Sequence, residues 1–159
     1  MDAMRPLGPF ASAVDDTSLI HSLLRLLAAS EQKVHDCARR VRDGLPVERR
    51  AHEAAAVGDL VVHTRALLNE IVAVGQVRFG GNWRGCEAAH PAKQPERELW
   101  LALASGQSLR RVLFKLAERT EDPLLQNDVR RWLGSRALLV EALERAHACA
   151  DASQGHGPA

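Results

Sequence analysis

Apolar positions along the chain recur at four-then-three spacing and almost never alternate one by one. Ile20, Leu24, Leu27, Val34, Ala38 and Val41 form the first such stripe, which is the period of one face of an α-helix. It predicts a helix over about 15–42, opened by Asp15, Asp16, Thr17 and Ser18, whose short oxygen-bearing side chains suit an N-cap. Asp43-Gly44-Leu45-Pro46 should end it, with Gly44 in a left-handed cap and Pro46 in the first turn of the next helix. That second helix, about 46–74, carries Val57, Leu60, Val61, Leu67, Leu68 and Ile71 on one stripe. A third, about 96–120, shows Leu109, Val112, Leu113 and Leu116 together; Ser105-Gly106 suggests a break near 105–107, with Ser108 recapping the chain. The fourth, about 123–150, aligns Leu125, Val129, Trp132, Arg136, Leu139 and Leu143, and Asp122 before Pro123 reads as a cap followed by a favourable first-turn residue.

Between the second and third helices the stretch GQVRFGGNWRGCEAAHPAKQP (75–95) holds four glycines, two prolines and no periodicity. Extended at about 3.3 Å per residue, it is long enough to run the length of a ~40 Å helix. Tight turns at 43–46 and 120–123 with one long connection between them define an all-α, ferritin-like four-helix bundle. Its plan is two antiparallel helical hairpins joined by a crossover loop. Residues 1–14 read as an irregular N-terminal segment, 15–151 as one domain and 152–159, rich in Gly, Ser and Pro, as a flexible tail.

Composition narrows the function more than it reveals it. A chain of 159 residues has room for one core and no second domain. Charged residues are 26% with a net charge of +1, and the arginines are scattered among acids, which argues against a nucleic-acid partner. No basic segment is followed by an apolar run and no stretch approaches a membrane span, so a cytoplasmic protein without membrane association is expected. The three cysteines, Cys37, Cys86 and Cys149, are far apart, which disfavours a zinc ribbon or a disulfide framework. Cys37 falls near the first stripe as a small core residue, whereas Cys86, between Arg84 and Glu87 in sequence order, is a candidate exposed thiol.

The stretches SLIHSLLRLLAASEQKVHDCARRV, ERELWLAL and LAERTED resemble the small bacterial single-domain ferritin-like proteins of unknown function. The resemblance rests on a Glu in the first helix at Glu31, on Trp100 three residues before Leu103, and on the run from Glu118 to Asp122. It implies a ferritin-like bundle, with a dimer as the expected assembly, and no established reaction.

A di-iron bundle needs a Glu from each of two helices and Glu-x-x-His from each of the others, converging at one level. On a helical wheel Glu31 is in step with Leu24, Leu27, Val34 and Ala38. Asp59 and His63 lie well off the second stripe, which sends Thr64 inward instead; Glu118 projects away from its stripe; and Arg136 stands inside the fourth, where a guanidinium repels a cation. The one Glu-x-x-His, Glu144 to His147, lies near a helix end. No metal and no cofactor are therefore expected. Glu31 and Arg136 either pair across the bundle or remain apart, with Arg136 reaching to the surface over its packed stem.

Other chemistry is thin. His21, His35, His52, His63, His90 and His156 do not cluster in sequence, and no Ser or Cys sits in a strand-turn-helix elbow. GGNWRG (80–85) lacks the GK[ST] ending of a phosphate loop; Phe79 and Trp83 read as anchors of the crossover or as part of a partner surface. The expectation is a non-enzymatic bundle with a degenerate metal site, acting as a homodimer or through a protein partner. The alternative is a metal-dependent oxidoreductase or iron-handling protein built on Glu31, Glu118 and Glu144 with His147.

Overall fold

The computed structural model describes the backbone of residues 4–83 and 93–155, with side chains over 16–49, 53–83 and 93–149. Among them are four α-helices: α1 (Met4–Gly44), α2 (Val47–Phe79), α3 (Pro95–Thr120) and α4 (Pro123–Gly155). Helix α1 packs on α2 and α3, and α4 packs on the same two, so α1 lies diagonal to α4. Ion pairs fix the directions. Asp16 faces Arg119 and Lys33 faces Glu98, so α3 runs antiparallel to α1; Glu70 faces Arg131 and Glu53 faces His147, so α4 runs antiparallel to α2.

Consequently α2 ends beside Asp122, which Arg78 contacts at 2.5 Å, while α3 begins at the other end, where Arg49 Nη1 meets Glu96 at 2.9 Å. The connection between Phe79 and Pro95 therefore joins opposite ends of the packing. Residues 84–92, including Cys86 and His90, lie outside the described residues, as do 156–159 with His156.

Several helix limits differ from the expectation. α1 starts at Met4, so 4–14 are helical and Asp16 is not part of a cap; it is buried and paired with Arg119 at 3.2 Å. Pro6 is compatible with this because the first N–H groups of a helix have no internal acceptor. Gly44 is still helical, and the left-handed residues among those described are Gly80, Gly81 and Glu121. Pro46 is the extended N-cap of α2, not its first helical residue. α4 continues to Gly155. The cap at Asp122 is as read: its Oδ1 accepts from the N–H groups of Leu124 and Leu125 at 3.1 and 3.2 Å.

α2 runs five residues past Val74, and the reason is Trp83. Its indole is buried on Gly75, where a Cβ would meet three ring carbons at 2.5–2.6 Å, and its Nε1–H donates to the Gly80 carbonyl at 2.8 Å. Arg25 lies 4.0 Å over the same ring and donates to the Asn82 carbonyl at 2.9 Å. His21 stacks on Phe79 with centroids 4.4 Å apart. The aromatic pair thus closes one end of the helical packing.

The core divides in two. One apolar cluster joins Leu24, Leu27, Leu67, Ile71, Leu113, Val129 and Trp132; the other joins Val34, Ala38, Val57, Leu60, Leu99, Leu103 and Leu143. Each fully buried aliphatic or aromatic side chain contributes about 1.5–3 kcal/mol, so these clusters supply the stability. On α3, Val112 faces solvent and Leu109 is half-buried, which corrects the expected stripe.

Replacing Gly75 by Ala is expected to dislodge Trp83 and destabilise the chain by about 1–3 kcal/mol, because the obstructing ring carbons cannot step aside as a flexible tip would. Urea unfolding, with the tryptophan emission maximum of the folded state moved to longer wavelength, measures both effects.

Candidate functional site

Where the two apolar clusters meet, every helix sends a polar side chain inward at one level. Glu31 comes from α1, Thr64 from α2, Arg110 from α3 and Arg136 from α4, and each is 0% exposed. The positions follow from register. Leu27, Glu31 and Val34 continue one stripe; Leu60, Thr64 and Leu67 another; Trp132 and Arg136 a third. The three charged groups form one unit. Arg110 Nη2 donates to Glu31 Oε1 and Arg136 Nη2 donates to Glu31 Oε2, so one carboxylate binds α1 to both α3 and α4.

The structure thus brings Glu31 and Arg136 together and adds Arg110, which the sequence reading missed. The cause was the break expected at 105–107. α3 is continuous through Gly106, and Ser108 donates to the Ala104 carbonyl within the helix instead of starting a new one. Reading straight through, Leu99, Leu103, Gly106, Arg110, Leu113 and Ala117 keep four-then-three spacing and are all buried. Gly106 has a packing role: a Cβ there would lie 3.2 Å from Arg110 Nη1 and from Ser30 Oγ.

Around the triad the polar groups are neutral. Thr64 gives its hydroxyl proton to the Val61 carbonyl at 3.0 Å, so its Oγ1 accepts from His35 Nδ1, which lies 3.0 Å away. Burial lowers the pKa of His35. Burial and then the cations of Arg136 and Arg110 push His63 down to about 4. Burial also lowers Arg110, to about 10, with Glu31 pulling upward and Arg136 downward. Cys37 is buried beside this layer with its thiol pKa raised by desolvation, as a core residue should be.

The remaining candidate ligands are dispersed. Asp59, Glu118 and Glu144 are exposed, and His63 is half-buried. His147 does not join Glu144; its Nδ1 lies 3.0 Å from Glu53 Oε1 and 3.1 Å from Arg49 Nη2 near the far end of the helices. Glu53 is buried as well, beside Glu31 and Asp16 the third buried acid among the described residues, in register with Val57, Leu60 and Thr64. Arg49 spans Glu53 at 2.5 Å and Glu96 at 2.9 Å, which ties the starts of α2 and α3 together.

Among the described residues no three His, Cys, Asp or Glu converge in a way that could hold a metal ion. Likewise no described helix is long and apolar enough to cross a membrane. The buried polar layer at mid-height is occupied by two guanidinium groups and one carboxylate, an arrangement that holds and orients charge.

The chain matches no family model, no curated protein and no solved structure.

Removing Glu31 should do more harm than removing either arginine. Glu31→Gln leaves two buried cations facing one another without a counter-charge, and a cost of about 3–5 kcal/mol or more is expected. Arg110→Met and Arg136→Met each leave a neutral pair and should cost less. Urea midpoints of the three variants give the order.

Acid should weaken the fold before the carboxylates titrate. His63 takes its proton near pH 6.5 when unfolded but near 4 when folded, so stability present above pH 6.5 is lost as pH falls toward 4. The loss attributable to this half-buried ring is roughly 1–2 kcal/mol after solvent screening. His63→Gln should flatten that slope in unfolding curves collected between pH 7 and 4.5.

Proposed function

We propose that the chain is a non-enzymatic, ferritin-like four-helix bundle with a degenerate metal site, acting through self-association. The observation that carries this reading is the Glu31–Arg110–Arg136 triad: two fixed cations stand at the level where ferritin-like metal proteins gather carboxylates and histidines. The helix order also supports it, with two antiparallel hairpins whose connection joins opposite ends. Elemental analysis of protein purified from cells supplied with iron, manganese and zinc should find no stoichiometric metal. One metal ion or more per chain would overturn the proposal.

The surface favours a second copy of the chain as the partner. Between α3 and α4 runs a groove of about 370 Å³ floored by Trp100, Leu103, Ala137 and Val140. Its rim carries Arg111 on one side and Glu141 and Glu144 on the other, so a two-fold contact sets each copy's cation against the other's acids. Leu101 and Leu138 are further exposed apolar side chains on the same two helices. Light scattering at high concentration is expected to give twice the chain mass, and Ala104→Glu in the groove should return it to the monomer mass. A monomer at every concentration would remove self-association.

A further inference from the structure

The central layer holds more positive charge than it neutralises. Arg110 and Arg136 are both 0% exposed, and each commits one nitrogen, Nη2, to Glu31. The Nε and Nη1 atoms of both arginines are buried with no hydrogen-bond partner. Among the described residues Glu31 is the carboxylate in contact with both guanidinium groups, Thr64 is engaged with Val61 and His35, and the His63 ring beside the two cations carries no charge at neutral pH. A guanidinium keeps its proton at neutral pH, so neutralisation by deprotonation is closed to it. Buried charges in folded proteins are paired, and four unsatisfied nitrogens on two cations, carrying six N–H bonds, break that rule as they stand.

We infer that a monovalent anion of halide size binds in the core between Arg110 and Arg136, accepting from guanidinium nitrogens that Glu31 leaves unused. The layer lies between the two apolar clusters and carries one guanidinium more than Glu31 neutralises, so a single monovalent ion balances it. A spherical ion also needs no particular direction of approach, which suits donors that belong to two different helices. Gly106 keeps the neighbourhood of Arg110 Nη1 clear of a side chain, and Ser30 places a hydroxyl at the same point. With the anion present the layer is neutral: two guanidinium groups against Glu31 and one halide. This inference stands on the charges of the core and is independent of how the chain associates.

Thermal unfolding at fixed ionic strength tests it, with sodium isethionate replaced stepwise by sodium chloride or bromide. The melting temperature should rise with the logarithm of halide concentration above the Kd, by about 3–6 °C once the halide reaches roughly ten times its Kd. Arg110→Met should abolish the rise, because Glu31 and Arg136 then form a neutral pair. Equal melting temperatures of the unmodified chain in halide and isethionate would overturn the inference, and so would a rise of unchanged size in Arg110→Met. Crystals of the unmodified chain grown in bromide decide the matter even if the variant does not fold. A bromine anomalous peak within hydrogen-bond reach of Arg110 and Arg136 supports the site; none there, whatever is bound at the surface, overturns it.

Discussion

One carboxylate, Glu31, holds the centre of this protein, and the placement of the other helices depends on it. Its two oxygens take one guanidinium from α3 and one from α4, while Thr64 on α2 fills the fourth corner at the same level. Taking three charges out of water is costly, and apolar residues of similar volume would often be as stable or more so. The stabilising work is done above and below, by the two apolar clusters. What the triad adds is discrimination. Sliding α3 or α4 by one turn would bury an arginine among leucines without its acid, a far larger penalty than a shifted apolar contact.

The ends of the packing are secured differently. At the end where α1 and α3 pair through Asp16 and Arg119, the indole of Trp83 lies on Gly75 under the guanidinium of Arg25, and Phe79 stacks on His21. This clamps the start of the connection to α1 and α2. At the opposite end Arg49 bridges Glu53 and Glu96, with His147 of α4 against the same carboxylate. Three polar devices thus occur along the length of the helices, at both ends and at the middle, each joining at least two helices. Between them the core is apolar.

Much of this was legible from spacing. Four stripes at helical period, the turn at Asp122-Pro123, the inward Thr64, and Glu31 and Arg136 at core positions all follow from which residues share a face. The structure departs from the expected elements where a local signal and helical register disagree. Gly106 looked like a breaker, yet packing decided it: the missing side chain makes room for Arg110 and Ser30, and the helix runs through. Val74 looked like the end of α2 because glycine follows, yet Gly75 stays helical under the Trp83 ring. The residues from Asp15 to Ser18 looked like a cap, yet Asp16 faces Arg119 from within α1. In each case a residue with a strong local meaning was claimed by a partner distant in the chain.

By itself the sequence determined that the chain is helical and which faces turn inward, because hydrophobic period is a property of consecutive residues. It also determined that arginine and glutamate lie on those inward faces. Only the tertiary structure decided that Arg110 joins Arg136 on one carboxylate and that His147 belongs to Glu53 and not to Glu144. Those choices depend on the relative rotation and height of helices that are far apart along the chain. A charge balance in the core exists only after the helices are brought to the same level.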